Sequence, residues 1–177
     1  MKSRAPLFAA LRPAYEQALT ALQIAPTADF AALVRAELTP LPVSACQASP
    51  TFQQLRDLYE WRARYLDWEL GTGYVGFFSA HPGTRYTFTR RIEIIRQLLP
   101  DITPDTRILE IGCGAGLLCF DLAPHAQAVV GVDVSTLVLR VAKTVNTALH
   151  GQNIFFCAGA AEALSFPDAA FDLVICS

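Results

Sequence analysis

A short apolar segment that runs into a glycine-rich turn constrains the fold of this chain more than any other stretch. The apolar run over 107–111 encloses Glu110, and the turn Gly112-Cys113-Gly114-Ala115-Gly116 follows directly. The run predicts a buried strand. Because glycine lacks a Cβ and accepts backbone conformations closed to other residues, each glycine of the turn is expected to make room for a ligand close to the backbone.

From residue 105 onward, apolar runs alternate with helical patterns. Continuous apolar strands separated by helices predict a parallel sheet covered on both faces, with right-handed crossovers, which is an α/β fold. Gly151 is expected to stop the second helix. The predicted strands are 107–111, 128–132, 153–157 and 171–176, and the predicted helices between them are 115–123 and 136–149.

The first 100 residues have a different pattern and predict a helical cap and lid region, followed by a sheet domain over 101–177. Segment 71–83 combines glycines with aromatic residues, which is typical either of a mobile flap or of a surface loop pinned by Phe77 and Phe78. The predicted helices of the cap, based on apolar residues at steps of three and four, are 6–24, 28–38, 50–70 and 84–99.

Composition narrows the classes of partner. With 14 lysines and arginines against 16 aspartates and glutamates, the net charge is −2, so no electrostatic binding to nucleic acid or to a membrane is expected. No apolar stretch reaches the roughly 18 residues that a membrane span needs. The five cysteines lack a CxxC pair and the histidines are isolated, which predicts reduced thiols, a cytoplasmic location and no metal site.

The predicted sheet places an acidic residue beside the glycine turn. Ligands of parallel sheets bind beyond the carboxyl ends of the strands, and Asp133 ends the second strand. A carboxylate there can accept hydrogen bonds from both hydroxyls of a ribose, which indicates a nucleoside-containing ligand. NAD and S-adenosylmethionine both satisfy this outline. The dinucleotide fingerprint would require glycine at Leu117, which favours S-adenosylmethionine.

Three segments together resemble the successive motifs of class I S-adenosylmethionine-dependent methyltransferases, in the small-molecule group called methyltransferase type 11. They are 108–116, 130–135 and 161–177. The resemblance implies a Rossmann-like fold and methyl transfer from S-adenosylmethionine, which becomes S-adenosylhomocysteine, to a small-molecule acceptor. It also implies a lid before the first motif, near Tyr74 to His81, but it identifies no catalytic residue.

The same resemblance implies the cofactor-binding residues. Glu110 and the turn, with Gly112, Cys113, Gly114 and Gly116, would hold the methionine portion of the cofactor. The remaining expected contacts are Asp133 to the ribose, Val134 to a face of the adenine, Ala161 and Glu162 at the border of the base, and Cys176 near the sulfonium.

Two departures from the family pattern bear on function. Many relatives have an aspartate where this chain has Ala160, so an acceptor for the adenine amino group is missing. The family sheet has seven strands, whereas this sequence carries the first four, so strand four is expected at an edge that a second chain or self-association covers. The 53% hydrophobic content fits such a surface. A fragment, a split or oligomeric enzyme, and a non-catalytic S-adenosylmethionine-binding or assembly subunit all remain open.

Overall fold

Alternating strands and helices make up the C-terminal part of the chain. A computed structural model describes residues 5–21, 82–161 and 163–176. A short 3-10 turn at Ala123–His125 precedes the second strand. The helices in these ranges are α1 (Ala5–Ala21), α2 (Pro82–Leu98), α3 (Leu117–Leu122) and α4 (Thr136–Ala148), and the strands are β1 (Arg107–Ile111), β2 (Ala128–Asp133), β3 (Ile154–Ala158) and β4 (Leu173–Cys176).

The four strands form one parallel sheet in the order β3-β2-β1-β4. The predicted α/β fold with a Rossmann-like parallel sheet is therefore confirmed. Within the described ranges, β4 pairs with β1 alone, so it lies at an edge as expected. Ile108 and Val129 are register partners on one face of the two inner strands, and both are fully buried. On the opposite face, Phe155 and Val174 are each 55% exposed.

The register brings the carboxyl ends of all four strands to the same edge. Ile111 pairs with Val132 on one side and with Cys176 on the other, and Asp133 pairs with Ala158. The residues that directly follow one strand therefore lie beside those that directly follow the adjacent strand. This edge is where a parallel sheet binds its ligands.

Helix α1 packs against α4, although the two are far apart in sequence. Its inward residues Leu11, Ala14, Tyr15 and Ala18 are buried at steps of three and four, as an amphipathic helix requires. The predicted helix over 6–24 is confirmed up to Ala21, where the described range ends. No helix in the described ranges is long and apolar enough to cross a membrane.

Several predicted boundaries were wrong by one or two residues. β2 extends to Asp133, β3 spans Ile154–Ala158, β4 begins at Leu173, and α2 and α4 each end one residue early. Helix α2 begins at Pro82, so the last two residues of the predicted loop 71–83 are helical; proline suits the first helical position because its fixed φ is compatible with a helix and no N–H is needed there. Helix α3 begins at Leu117 instead of 115, because Gly116 has a left-handed φ of 81°. The remainder of that loop, with Tyr74 and His81, and the predicted helices 28–38 and 50–70 lie outside the described residues.

Helix α4 was expected to be stopped by Gly151, but the structure shows a different end. The residue in the left-handed conformation is His150, with φ 53°, and Gly151 follows it. A Cβ on Gly151 would collide with Oδ1 of Asn146, so the glycine is there because of crowding and not to allow a positive φ. A side chain at positive φ is strained, which places the strain on His150.

Replacing His150 with glycine is expected to stabilise the protein by about 1 kcal/mol, since glycine adopts a positive φ without steric cost. Urea denaturation followed by circular dichroism measures this change. Ala148→Gly is the matched control, because it places glycine in the last regular turn of the same helix and is expected to destabilise by up to about 1 kcal/mol. Equal effects of the two substitutions on the free energy of unfolding would contradict the assignment of backbone strain to His150.

An ion pair joins the beginnings of β1 and β4. Arg107 donates from Nε to Asp172 Oδ2 at 3.0 Å and from Nη2 to Oδ1 at 2.9 Å, and its backbone N–H also donates to Oδ2 at 2.8 Å. In the opposite direction, the Asp172 backbone N–H donates to the Arg107 carbonyl at 2.9 Å. The side-chain hydrogen bond from Arg107 lowers the pKa of Asp172 from 3.8 to about 2.

This lowered pKa predicts an acid-sensitive contribution to stability. A carboxylate whose pKa falls on folding stabilises the protein above its unfolded pKa, and this stabilisation is lost as the pH falls from about 4 to about 2. The pair is half exposed, so the effect will be small. Melting temperatures of wild type and Asp172→Asn should therefore differ at pH 6 and converge towards pH 2. A constant difference across that window would contradict the prediction.

Candidate nucleoside-binding site

The glycine turn between β1 and α3 is held firmly from one side. The backbone N–H groups of Gly112 and Cys113 both donate to the carbonyl of Val132 on β2, at 2.8 and 3.0 Å. The N–H of Gly116 closes the turn on the Cys113 carbonyl at 2.9 Å. All three glycines have positive φ, namely 76° at Gly112, 53° at Gly114 and 81° at Gly116. The turn is thus a fixed loop whose conformation favours glycine at three positions.

The glycines do not all make room for a ligand. A Cβ on Gly114 would meet nothing within 4 Å, so this glycine faces open space. A Cβ on Gly116 would lie 2.5 Å from Cζ of Phe156, so this glycine makes room for a core side chain of the protein itself. The reason that sequence analysis gave for all the glycines is therefore wrong for Gly116, while its role in cofactor binding stays a prediction.

Asp133 connects the end of β2 to the glycine turn. Its Oδ2 accepts a hydrogen bond from the Gly114 backbone N–H at 2.8 Å, and its Oδ1 accepts one from the Ser135 backbone N–H at 2.9 Å. These bonds fix the carboxylate beside the open side of Gly114. An ionised carboxylate offers about four lone-pair positions, so hydroxyl groups of a ligand can also be accepted there.

Glu110 lies beneath the turn, where it is only 3% exposed. The thiol of Cys119 on α3 donates to Glu110 Oε2 at 2.9 Å. Burial raises the pKa of the Cys119 thiol well above its ordinary value, so the thiol stays protonated and remains a donor. The turn is therefore built over a buried acidic side chain that has a hydrogen bond to the following helix.

Cys113 sits inside the turn but is poorly suited to be a nucleophile. Its side chain is buried. A hydrogen bond with Cys119 lowers the pKa of the Cys113 thiol, but burial and the nearby charges of Glu110 and Asp133 outweigh it and raise this pKa overall. Since the thiolate is the reactive form, Cys113 is a poor nucleophile, and its contact with the cofactor stays a prediction.

The other predicted site residues lie at the same edge of the sheet, with one exception. Val134 follows Asp133 and is half buried, Ala161 is exposed in the loop after β3, and Cys176 is exposed at the end of β4 beside Ile111. Glu162 lies outside the described residues. In the described ranges, no three His, Cys, Asp or Glu side chains are grouped as metal ligands.

Sequence reasoning missed four residues that shape the turn. Tyr15 on α1 donates its hydroxyl to the Ala115 carbonyl at 2.6 Å, and nothing in the local sequence indicates that contact. Ser135 could have been found, because a serine before a helical pattern predicts an N-cap, and its Oγ accepts from the N–H of Val138. The other two are Cys119 and Phe156.

Comparisons with known proteins agree with this geometry. Residues 108–177 match the family described as "Methyltransferase domain". The chain is 37% identical to the uncharacterized methyltransferase YcgJ of Bacillus subtilis over 70 residues. This aligned segment covers 40% of this chain and 28% of YcgJ. It is 44% identical to the ubiquinone biosynthesis O-methyltransferase of Brucella anthropi over 69 residues, and this segment covers 39% of this chain and 27% of that protein.

The match thus spans less than a third of the length of these relatives. Among solved structures, the cyclase SpnF superposes with a TM-score of 0.56 at 22% identity, over 71% of this chain and 48% of SpnF, which shows a shared fold. The predicted resemblance is confirmed. Residues 108–177 are similar in sequence to the methyltransferase domain family and to S-adenosylmethionine-dependent enzymes of class I, as the motifs implied.

Proposed function

We propose that this chain binds S-adenosylmethionine and supplies the donor side of a methyltransferase that acts on a small-molecule acceptor. One observation carries the proposal. The Asp133 carboxylate is held by the Gly114 N–H directly beside the open side of the turn, so a ribose acceptor and a backbone without side chains lie together at the carboxyl edge.

The residues present fit the cofactor. Asp133 would accept the ribose hydroxyls, and the turn from Gly112 to Gly116 would follow the methionine portion. The buried charge of Glu110 favours a cation nearby, and the methionine portion carries an ammonium group. Val134 would contact a face of the adenine, and Ala161 would border the base. Cys176 at the neighbouring strand end would face the sulfonium side.

The chemistry that the cofactor supplies is a methyl group made electrophilic by a sulfonium. The contribution of the chain is then alignment, since a fixed donor and a fixed acceptor react far faster than two free molecules. The hydrogen bonds that fix the turn to Val132 and to Asp133 provide a rigid support for the donor.

A second function, that of a non-catalytic binding or assembly subunit, is favoured by the exposed edge at β4. Val174 is 55% exposed on this strand, and Cys176 is exposed as well. Tyr86 and Leu98 on α2 are also exposed apolar residues. We propose that a further polypeptide segment covers this surface, from a second chain or by self-association, because a bare apolar strand edge promotes pairing.

Titration calorimetry with S-adenosylhomocysteine tests the binding step common to both functions. We expect micromolar affinity for it and for S-adenosylmethionine, and none for NAD, because Leu117 stands where the dinucleotide fingerprint requires glycine. Absence of heat up to millimolar S-adenosylhomocysteine would overturn both functions. Preferential binding of NAD would indicate an oxidoreductase instead.

Transfer of a labelled methyl group separates the enzyme from the binding subunit. The relative from Brucella anthropi is an O-methyltransferase, so phenols and alcohols are the first acceptors to test with tritiated S-adenosylmethionine. Light scattering during gel filtration of the same sample measures self-association. Binding without transfer to any acceptor of the panel would favour the binding subunit.

A further inference from the structure

The hydrogen bond between Tyr15 and Ala115 joins residues that are 100 positions apart in the chain. Tyr15 lies on α1, outside the segment that matches the methyltransferase family, and Ala115 lies in the glycine turn. At 2.6 Å the bond is short for a neutral hydroxyl and a carbonyl. The turn therefore receives support from a part of the chain that precedes the family domain.

Water cannot take the place of this donor. Tyr15 is 1% exposed and Ala115 is 2% exposed, so both partners of the bond are shielded. The Tyr15 ring packs edge-on against Phe120 at 6.2 Å between centroids, and Phe120 packs in the same way against Phe156 at 5.9 Å. Burial raises the pKa of the Tyr15 hydroxyl well above its ordinary value, so the group remains a donor at any physiological pH.

The bond fixes one particular peptide group. The carbonyl of Ala115 and the N–H of Gly116 belong to the same planar unit, so the direction of one sets the direction of the other. The carbonyl accepts from Tyr15, and the N–H donates to the Cys113 carbonyl at 2.9 Å. This unit is thus held at both ends. Because Gly116 permits many backbone conformations, rotation of the unit would otherwise cost little.

We propose that Tyr15 is a positioning residue for the cofactor site. Its hydroxyl holds the Ala115–Gly116 peptide group, and this keeps the neighbouring Gly114 in the conformation whose N–H meets Asp133. The proposal rests on the proposed function, since the ligand in question is S-adenosylmethionine or its product. It adds that helix α1 supports the binding site through the hydrogen bond of Tyr15 to the turn.

Replacing Tyr15 with phenylalanine removes only the hydroxyl. We expect the dissociation constant of S-adenosylhomocysteine, measured by calorimetry on the full chain, to rise about tenfold, because binding must then order a turn that the buried hydrogen bond holds in the wild type. The amide nitrogen of Gly116 and the carbonyl carbon of Ala115 should also shift in the NMR spectrum without ligand. Circular dichroism sets a temperature at which every variant is folded.

Two further variants distinguish positioning from packing. Phe120→Leu removes the aromatic contact of Tyr15 but keeps its hydroxyl, and we expect a smaller change in affinity. Thr147→Val removes a hydroxyl from an exposed side chain in the last turn of α4, at the end of that helix away from Asp133, and we expect no change.

Wild-type affinity in Tyr15→Phe, or unchanged Ala115 and Gly116 resonances, would overturn the positioning role. An equal loss of affinity in Phe120→Leu would do so as well. If wild type itself does not bind S-adenosylhomocysteine, the proposed function fails first, and the resonances still report whether Tyr15 holds the turn.

Discussion

Replacing Asp133 with alanine is expected to weaken S-adenosylhomocysteine binding by roughly 100-fold, or about 3 kcal/mol. The ligand loses the acceptor for both ribose hydroxyls. The turn also loses its attachment, because the N–H groups of Gly114 and Ser135 no longer have the carboxylate oxygens at 2.8 and 2.9 Å. Titration calorimetry on the folded variant measures the change.

Two control substitutions refine the Asp133 experiment. Asp168→Ala removes a carboxylate from an exposed turn beside the start of β1, at the edge of the sheet opposite the glycine turn, and binding should be unchanged. Asp133→Asn keeps the shape but points an NH2 group at one of the two backbone N–H donors, so affinity should fall to an intermediate value. Affinity within twofold of wild type in Asp133→Ala would exclude the ribose contact.

The second large effect is expected for Gly116→Ala, which should destabilise the fold by about 3 kcal/mol or more. The new Cβ would lie 2.5 Å from Cζ of Phe156 and 3.3 Å from Cε2 of Phe120, in a conformation with φ 81°. Both rings are buried, so neither has room to move away. Urea denaturation measures the loss.

Gly114→Ala is the matched partner, and the two glycines should give opposite patterns. A Cβ at position 114 meets nothing within 4 Å, so its cost is that of the positive φ alone, about 1–2 kcal/mol. That Cβ would project into the space assigned to the ligand, so this variant should stay folded but lose affinity for S-adenosylhomocysteine. Full binding by Gly114→Ala would show that the ligand approaches the turn from elsewhere.

Much of the sheet could be predicted from the sequence, since its strands are continuous apolar runs separated by glycines and caps. β1 was predicted at its observed bounds, Arg107–Ile111. The ends of elements were harder to predict because they depend on single backbone angles. His150, and not Gly151, has the left-handed conformation after α4, because the N–H groups of His150 and Gly151 bond back to the carbonyls of Thr147 and Asn146.

The candidate site was predictable where its signals are local in sequence. Asp133 directly follows an apolar run, and the glycines alternate along five residues, so both could be identified. The support of the turn could not be predicted, since it depends on pairs that only the folded chain brings together. Tyr15 meets Ala115 and Gly116 meets Phe156 through packing, for which no spacing rule exists.

The ion pair between Arg107 and Asp172 has a consequence for how β4 is aligned. β4 spans only Leu173–Cys176, and successive side chains of a strand point to opposite faces. A slip of one residue would expose Ile175 and bury Val174 in its place, at little cost in hydrophobic area. The paired side chains before the strand fix the alignment that the strand itself specifies weakly. They therefore decide which residue, Cys176, reaches the level of the glycine turn.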